Sequence, residues 1–147
     1  MWAELEQRDE RLAYALLRLA LGMNFLMHGV SRMMDGPGDF AFRLQQQFQH
    51  APLPQWAVHV FGVLLPGLEA LLGALLIVGL RTKPALVTAA LLMTVLTFGS
   101  GLIQNWNGAA AQLTYAFIVA AMLATVRFNG WSVDAWLKKK SEHVMVP

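Results

Sequence analysis

The sequence predicts an all-α integral membrane protein, a bundle of four transmembrane helices in a single domain spanning residues 1–147. Hydrophobic residues make up 56% of the chain and charged residues only 14%, whereas a soluble domain carries about 25% charged residues. A soluble chain of this length has too little interior to bury so much apolar surface. Four apolar segments also come close to the roughly 20 residues that a helix needs to cross a bilayer.

The first two predicted spans contain ionisable residues. Residues 12–31 form the first span, which holds Arg18 and His28, and residues 57–80 form the second, with Glu69 near its middle. Ionisable side chains are costly within a membrane, so each of the three is a candidate functional residue.

The third and fourth predicted spans, residues 84–103 and 109–126, contain no charged residue. Pro84 suits the first turn of a helix. The connection 81–83 is therefore very short, and the second and third spans must be antiparallel neighbours.

A short helix is predicted over residues 39–49, between the first two spans. Phe40, Leu44 and Phe48 recur at four-residue steps after Asp39, a residue suited to a helix cap. This pattern is typical of an amphipathic helix that lies on the membrane surface.

The distribution of basic residues predicts that both termini are cytoplasmic. Four spans place the two termini on one side, and cytoplasmic segments carry the excess of lysine and arginine. The side opposite the termini holds only Arg32 and Arg43. The terminal side holds eight basic residues: Arg8, Arg11, Arg81, Lys83, Arg127, Lys138, Lys139 and Lys140. The expected location is the cell inner membrane.

Glycines share a helical face with the charged residue in each of the first two spans. At about 100° per residue, Gly22 and Phe25 lie on the face of Arg18, and Gly73 lies on the face of Glu69. Because small residues let helices approach closely in lipid, we expect the two faces to meet and Arg18 to pair with Glu69. Gly22, Phe25 and Gly73 would then form the wall of a binding pocket.

Each ionisable residue also has a simpler interpretation. Arg18 can extend its side chain to the membrane interface, His28 can be an ordinary interfacial histidine, and Glu69 can be neutral and bonded to a neighbour. His28 and His59 could in principle bind a haem between them. No cluster of metal ligands is visible, so no metal site is predicted. The net charge of +2 is too small to indicate nucleic-acid binding, and the absence of cysteine excludes a thiol relay and iron–sulfur ligation.

The charged and glycine-rich faces resemble two signatures of the DoxX family. The resemblance extends over nearly the whole chain and includes the late segment 132–134. The first signature comprises Arg18, Leu21, Gly22, Phe25, His28, Gly29 and Arg32; the second comprises Pro66, Glu69, Gly73 and the turn from Gly79 to Lys83. Arg32 stands where the family often has lysine. Membership would imply a small four-helix membrane protein of bacteria or archaea, and some members are linked to quinone-coupled oxidation of sulfur compounds or to redox detoxification.

Two functions fit these observations. The first is a membrane subunit of a quinone-linked redox or detoxification complex, in which Glu69 and His28 exchange protons and Arg18 holds Glu69 ionised or stabilises a quinone oxygen. Its electrons would come from a redox partner protein. The alternative is a non-enzymatic scaffold, or a carrier of a small apolar solute, with a buried structural charge pair. Either protein would sit in the lipid bilayer and could form a homo-oligomer.

Overall fold

The computed structural model describes residues 2–144, and the side chains of residues 6–141. Over that range the chain is helical and contains no β-strand. Four of the helices are long and apolar enough to cross a membrane, which confirms the predicted fold class. The elements in chain order are α1 (Trp2–Met34), α2 (Pro37–Gln47), α3 (Gln55–Val78), α4 (Thr82–Leu102), α5 (Trp106–Ala124), a 3-10 turn (Val126–Phe128) and α6 (Val133–Val144).

The outside of the bundle is apolar on all four long helices. Met27, Leu64, Leu91 and Phe117, one from each of them, are between 54% and 74% exposed. A soluble monomer rarely exposes contiguous apolar surface on this scale. The described residues therefore form a multi-pass membrane protein, in which the exposed apolar side chains of the long helices face lipid.

Helices α1 and α3 pack together through their glycines. A Cβ added to Gly22 would lie 2.9 Å from Cγ1 of Ile77 and 3.0 Å from the carbonyl oxygen of Gly73. A Cβ added to Gly29 would lie 2.8 Å from Cα of Ala70. Such close approach supplies packing energy in lipid, where no hydrophobic force joins two apolar helices. The prediction that the glycine-lined faces meet is confirmed.

The short helix α2 packs against α3 and begins earlier than predicted. Its first residue is Pro37, which follows Gly36 with a φ of 94°, and the fixed φ of proline suits a first helical turn. Asp39, predicted as the cap, instead lies within that turn. Ala41 is fully buried, and a Cβ added to Gly62 of α3 would lie 2.8 Å from its Cα. Helix α2 is thus part of the packed bundle.

A tight turn joins α3 to α4. Helix α3 ends at Val78 and is capped by Gly79, whose φ of 71° is left-handed and whose N–H donates to the carbonyl of Leu75 at 2.9 Å. Arg81 is also left-handed, with a φ of 48°. Helix α4 begins at Thr82, two residues before the predicted Pro84, which lies in its first turn. The glycine lets the chain reverse with only a few residues.

Helices α4 and α5 form a second close pair that completes the core. Leu76 of α3, Leu86 of α4 and Val119 of α5 are fully buried. The amide of Asn24 on α1 donates to the hydroxyl of Tyr115 on α5 at 3.1 Å. The four spans therefore share one core.

The segment after α5 docks on the α3–α4 turn. The carboxylate of Asp134 accepts from the backbone N–H groups of Arg81 at 2.7 Å and Thr82 at 2.8 Å. Its own N–H donates to the carbonyl of Gly79 at 3.0 Å, and the Asn129 amide donates to the Thr82 hydroxyl at 2.9 Å. Helix α6 was not predicted, because its 12 residues are too few and too polar for a membrane span. We call this end of the bundle the terminal end, and the opposite end the α2 end.

Candidate functional site

The buried carboxylate of Glu69 is paired with Arg32. Glu69, on α3, is 4% exposed. A terminal nitrogen of Arg32, from the last turn of α1, donates to its Oε2. The Arg32 side chain is 27% exposed, so the pair lies at the boundary between the core and a more open region. An ion pair within membrane-spanning helices is a candidate functional site, because its placement is costly.

The predicted pairing of Arg18 with Glu69 is wrong. One terminal nitrogen of Arg18 donates to the carbonyls of Leu76 at 2.6 Å and Ile77 at 3.1 Å. The other donates to the carbonyl of Trp131 at 2.7 Å. Leu76 lies seven residues beyond Glu69, about 10 Å along the helix.

The register of α1 against α3 explains the difference. Contacts of Gly22 with Gly73 and of Gly29 with Ala70 place Arg18 beside Gly79, at the end of α3 rather than its middle. The last carbonyls of a helix have no partner within it and carry the negative end of its dipole, so they stabilise a buried guanidinium. Arg18 therefore joins α1, α3 and the segment before α6.

The two histidines considered from the sequence differ in their surroundings. His28 is exposed and lies close enough to Glu69 to interact with it electrostatically. Its ring makes no hydrogen bond to any side chain that the structure describes. His59 is exposed, and its Nδ1 lies 2.9 Å from Oε1 of Gln45 on α2. Over the described range, no group of three or more His, Asp or Glu side chains could hold a metal ion.

A cavity of about 500 Å³ lies at the α2 end, beside the charge pair. It is lined by α2, the end of α1, the first half of α3, the end of α4 and the start of α5. Its volume is within the range of small-molecule sites, about 300–1,000 Å³. Most of its wall is apolar: Phe40, Leu44, Phe48, Leu53, Ala57, Val58, Phe61, Leu65, Val95, Leu96, Phe98, Gly99 and Ile103.

A few polar groups complete the cavity wall. The Arg32 guanidinium borders it, with its Cζ 4.8 Å from the centroid of the Phe40 ring. The Gln112 Oε1 is buried without a hydrogen-bond partner among the described residues. The other polar lining residues are Arg43, Gln47, Ser100 and Asn105. A mostly apolar cavity with a few hydrogen-bonding groups is the usual form of a small-molecule site. The arrangement can hold an apolar ring and donate hydrogen bonds to an oxygen on it.

The sequence was compared with models of known protein families. The model described as "Methylamine utilisation protein MauE" matches residues 10–112, more than half of the chain. The chain belongs to the MauE family. This family consists of membrane proteins with several apolar helices, which agrees with the fold described above. Searches of curated proteins and of solved structures returned no match.

The MauE match covers the whole candidate site. It extends from the early part of α1 through α4 into α5, so it includes both Arg32 and Glu69. It supports the prediction of a small membrane protein with several spans. The more specific resemblance to the DoxX family stays a prediction.

The pocket wall predicted from the sequence lies elsewhere in this MauE family member. Gly22 and Gly73 are at the contact between α1 and α3, and Phe25 is 3% exposed in the core. None of the three lines the cavity at the α2 end. The physical reason is that glycines on two facing helices close the gap between them instead of opening it.

Sequence reasoning missed Arg32 as the partner of Glu69 and missed Gln112. The sequence did indicate that Arg32 could face α3, since it shares the helical face of Arg18 and Gly29. The four-residue spacing of Phe40, Leu44 and Phe48 also indicated a shared apolar face. That face was interpreted as one lying on the membrane surface. Period alone does not distinguish a face against lipid from a face against a cavity.

Proposed function

We propose that this MauE family member is a membrane subunit of a redox pathway and that the cavity at its α2 end binds a quinone headgroup. The observation that carries the proposal is the position of Arg32. It places a cationic hydrogen-bond donor, held by buried Glu69, on the border of an aromatic cavity of about 500 Å³.

A quinone supplies two-electron, two-proton redox chemistry when bound, and the residues of the cavity match its chemistry. Phe40, Phe48 and Phe61 offer flat apolar contacts for a ring. The Arg32 guanidinium can donate to a quinone oxygen, and Gln112 Oε1 can accept from a hydroxyl on the reduced ring.

Glu69 acts in this proposal through Arg32. It does not line the cavity, and Arg32 cannot pass a proton because a guanidinium stays protonated in proteins. Glu69 is therefore a positioning residue that holds Arg32 at the cavity wall. His28 is exposed and does not line the cavity, so it makes no direct contact with a bound quinone in this proposal.

The family description supports a redox setting. It concerns methylamine utilisation, and oxidation of the carbon atom of an amine releases electrons that a carrier must accept. We propose that a partner protein delivers those electrons. An association with quinone-coupled sulfur oxidation, as in some DoxX proteins, is a narrower form of the same proposal.

The proposed site is tested by two substitutions in the last turns of α4, one that fills the cavity and one that does not. Gly99 lines the cavity, and an added Cβ would lie 3.3 Å from Cζ of Phe48. An added Cβ on Gly101 would meet nothing within 4 Å. Gly101→Leu is therefore a matched control for Gly99→Leu, because it adds the same side chain in the same last turn of α4 but on another face.

We expect Gly99→Leu to weaken binding of a short-chain quinone about tenfold or more. The leucine side chain would occupy part of the cavity, and forcing a ring in beside it would overpack the site at a cost of about 1–3 kcal/mol. Gly101→Leu should bind like the wild type. The measurements are calorimetric titration in detergent and mass spectrometry of quinone extracted from the purified protein. Equal quinone binding by both variants would contradict the proposed site.

The second candidate is a carrier or scaffold that binds a small apolar solute without redox chemistry. The apolar wall favours it, since phenylalanine and leucine accept many apolar molecules. A wild-type protein that binds a small arene but no quinone, with the same dependence on Gly99, would favour this candidate.

We also propose that the terminal end faces the cytoplasm of a cell membrane. The excess of basic residues at that end supports this orientation. Reporter domains fused at the C-terminus and inserted after Gln47 should report opposite sides, and a C-terminal reporter found outside the cell would overturn the proposal.

A further inference from the structure

Five cationic side chains converge on a second pocket, at the terminal end. The pocket has a volume of about 470 Å³. The cations come from four separate segments: Arg11 from α1, Lys83 from α4, Arg127 from the 3-10 turn, and Lys138 and Lys139 from α6. Like charges repel one another, so their convergence on one concave surface favours a bound anion.

Asp134 is the only carboxylate among the described residues that line the pocket, so the five cations outnumber it, and it makes no ion pair with any of them. Both oxygens of Asp134 accept backbone N–H groups, from Arg81 and Thr82. Among the side chains of residues 6–141, none of the five cations is in an ion pair.

The α2 end provides an internal comparison. There, Arg32 pairs with Glu69 and Arg43 lies 3.5 Å from Asp35. Each of these two arginines thus has a carboxylate partner within the chain. The pocket at the terminal end instead has its cations directed to a shared space, where an external anion can bind to several of them.

The surroundings of the pocket fit a membrane surface. It lies where α4 begins and α5 ends, at the depth of lipid headgroups for helices of this length. Trp131, Trp136 and Leu137 are between 44% and 59% exposed at the same end. Tryptophans are enriched at the boundary between headgroups and acyl chains.

We propose that this basic pocket binds the phosphate of an anionic phospholipid headgroup. Its lysines and arginines donate charge-assisted hydrogen bonds to the phosphate oxygens. Asn129 also lines the pocket, and its Oδ1 is buried without a partner among the described residues. Basic pockets between the cytoplasmic ends of transmembrane helices bind lipid phosphates in this way. The site is separate from the proposed quinone cavity and does not depend on it.

The test compares two double variants with the same change in charge. Lys83→Gln with Arg127→Gln removes two cations of the basic pocket. Arg8→Gln with Lys140→Gln removes two cations of the same end that do not line it. All four side chains are exposed, so the changes leave the buried core intact. Melting in detergent without added lipid should agree among both variants and the wild type.

Binding is measured by native mass spectrometry of the detergent-solubilised protein. The lipids are dioleoyl phosphatidylglycerol and dioleoyl phosphatidylcholine, which differ only in the headgroup, and inorganic phosphate at equal concentration is a third ligand. We expect the wild type to prefer phosphatidylglycerol. The pocket variant should bind it about 10- to 30-fold more weakly, and the control variant about as well as the wild type.

Two results would overturn the proposal. Equal loss of phosphatidylglycerol binding in both double variants would mean that diffuse surface charge, and not the pocket, attracts the lipid. Inorganic phosphate binding as tightly as phosphatidylglycerol would make the pocket a site for soluble phosphate.

Discussion

The two ends of the bundle each contain an intramembrane arginine, and the two arginines are used in opposite ways. At the terminal end, both terminal nitrogens of Arg18 bind backbone carbonyls, those of Leu76, Ile77 and Trp131. At the α2 end, Arg32 makes one side-chain hydrogen bond among the described residues, to Glu69, and borders a cavity. A guanidinium has five N–H donors, so Arg32 keeps several for a ligand.

This comparison separates a structural charge from a candidate functional one. Arg18 is 3% exposed and holds three segments of the chain together. Arg32 is 27% exposed and is held in place by one carboxylate and one aromatic ring. An intramembrane charge is therefore a stronger sign of function where it borders a cavity, as Arg32 does, than where backbone carbonyls bind it in the core, as they bind Arg18.

The largest expected effect is the loss of Arg18. Arg18→Met removes three charge-assisted hydrogen bonds and leaves the carbonyls at the end of α3 unsatisfied, at a cost of about 4 kcal/mol. Melting in detergent should fall by at least about 10 °C. Leu17→Met is the matched control, since Leu17 is the adjacent residue and is 41% exposed. A wild-type melting temperature for Arg18→Met would make Arg18 dispensable to the fold.

A smaller effect is expected at the α2 end, in a double-mutant cycle. Glu69→Gln leaves Arg32 without its carboxylate, and partial exposure of Arg32 reduces the usual cost of a broken buried pair to about 2–3 kcal/mol. Arg32→Gln and Glu69→Gln should therefore be strongly non-additive. Arg18→Gln and Glu69→Gln should add within about 0.5 kcal/mol, because the two residues do not touch. Melting of each variant in one detergent gives both cycles, and strong coupling of Arg18 to Glu69 would restore the pairing that the structure contradicts.

The smallest effect tests the glycine contact that sets the register of both arginines. A Cβ on Gly73 would lie 2.7 Å from the carbonyl oxygen of Gly22, so Gly73→Ala should destabilise by about 1–2 kcal/mol. On Gly67, also in α3, a Cβ would lie 3.8 Å from Cε of Met33. Gly67→Ala should be neutral or stabilise by up to about 1 kcal/mol. Equal melting temperatures would mean that α1 and α3 can separate without cost.

The helices and one interface were predictable because they depend on local pattern. Four apolar segments and the glycine faces of α1 and α3 were visible as composition and period. The charge pairs were not, because pairing depends on the axial register of two helices. An error of two helical turns moves Arg18 from the middle of α3 to its end, and the sequence contains no measure of that register.

The candidate site was predicted only in part, for a related reason. Glu69 is buried as expected, but its partner Arg32 and the walls of the cavity come from segments far apart in the chain. The cavity forms where α2 packs on α3 through Ala41 and Gly62 and leaves space toward α4 and α5. A pocket is the space that packing leaves, and no single segment encodes it.

The sequence by itself determined that the protein lies in a lipid bilayer, the number of its spans and the helical faces that carry charge. These properties follow from composition and from the 3.6-residue period of the helix, which each segment expresses alone. Only the tertiary structure decided which charges pair, that Arg18 binds backbone carbonyls, and where the cavity and the basic pocket lie. These depend on contacts between residues distant in the chain. A few glycines fix those contacts, because they let the backbones of two helices approach so closely that a Cβ would not fit between them.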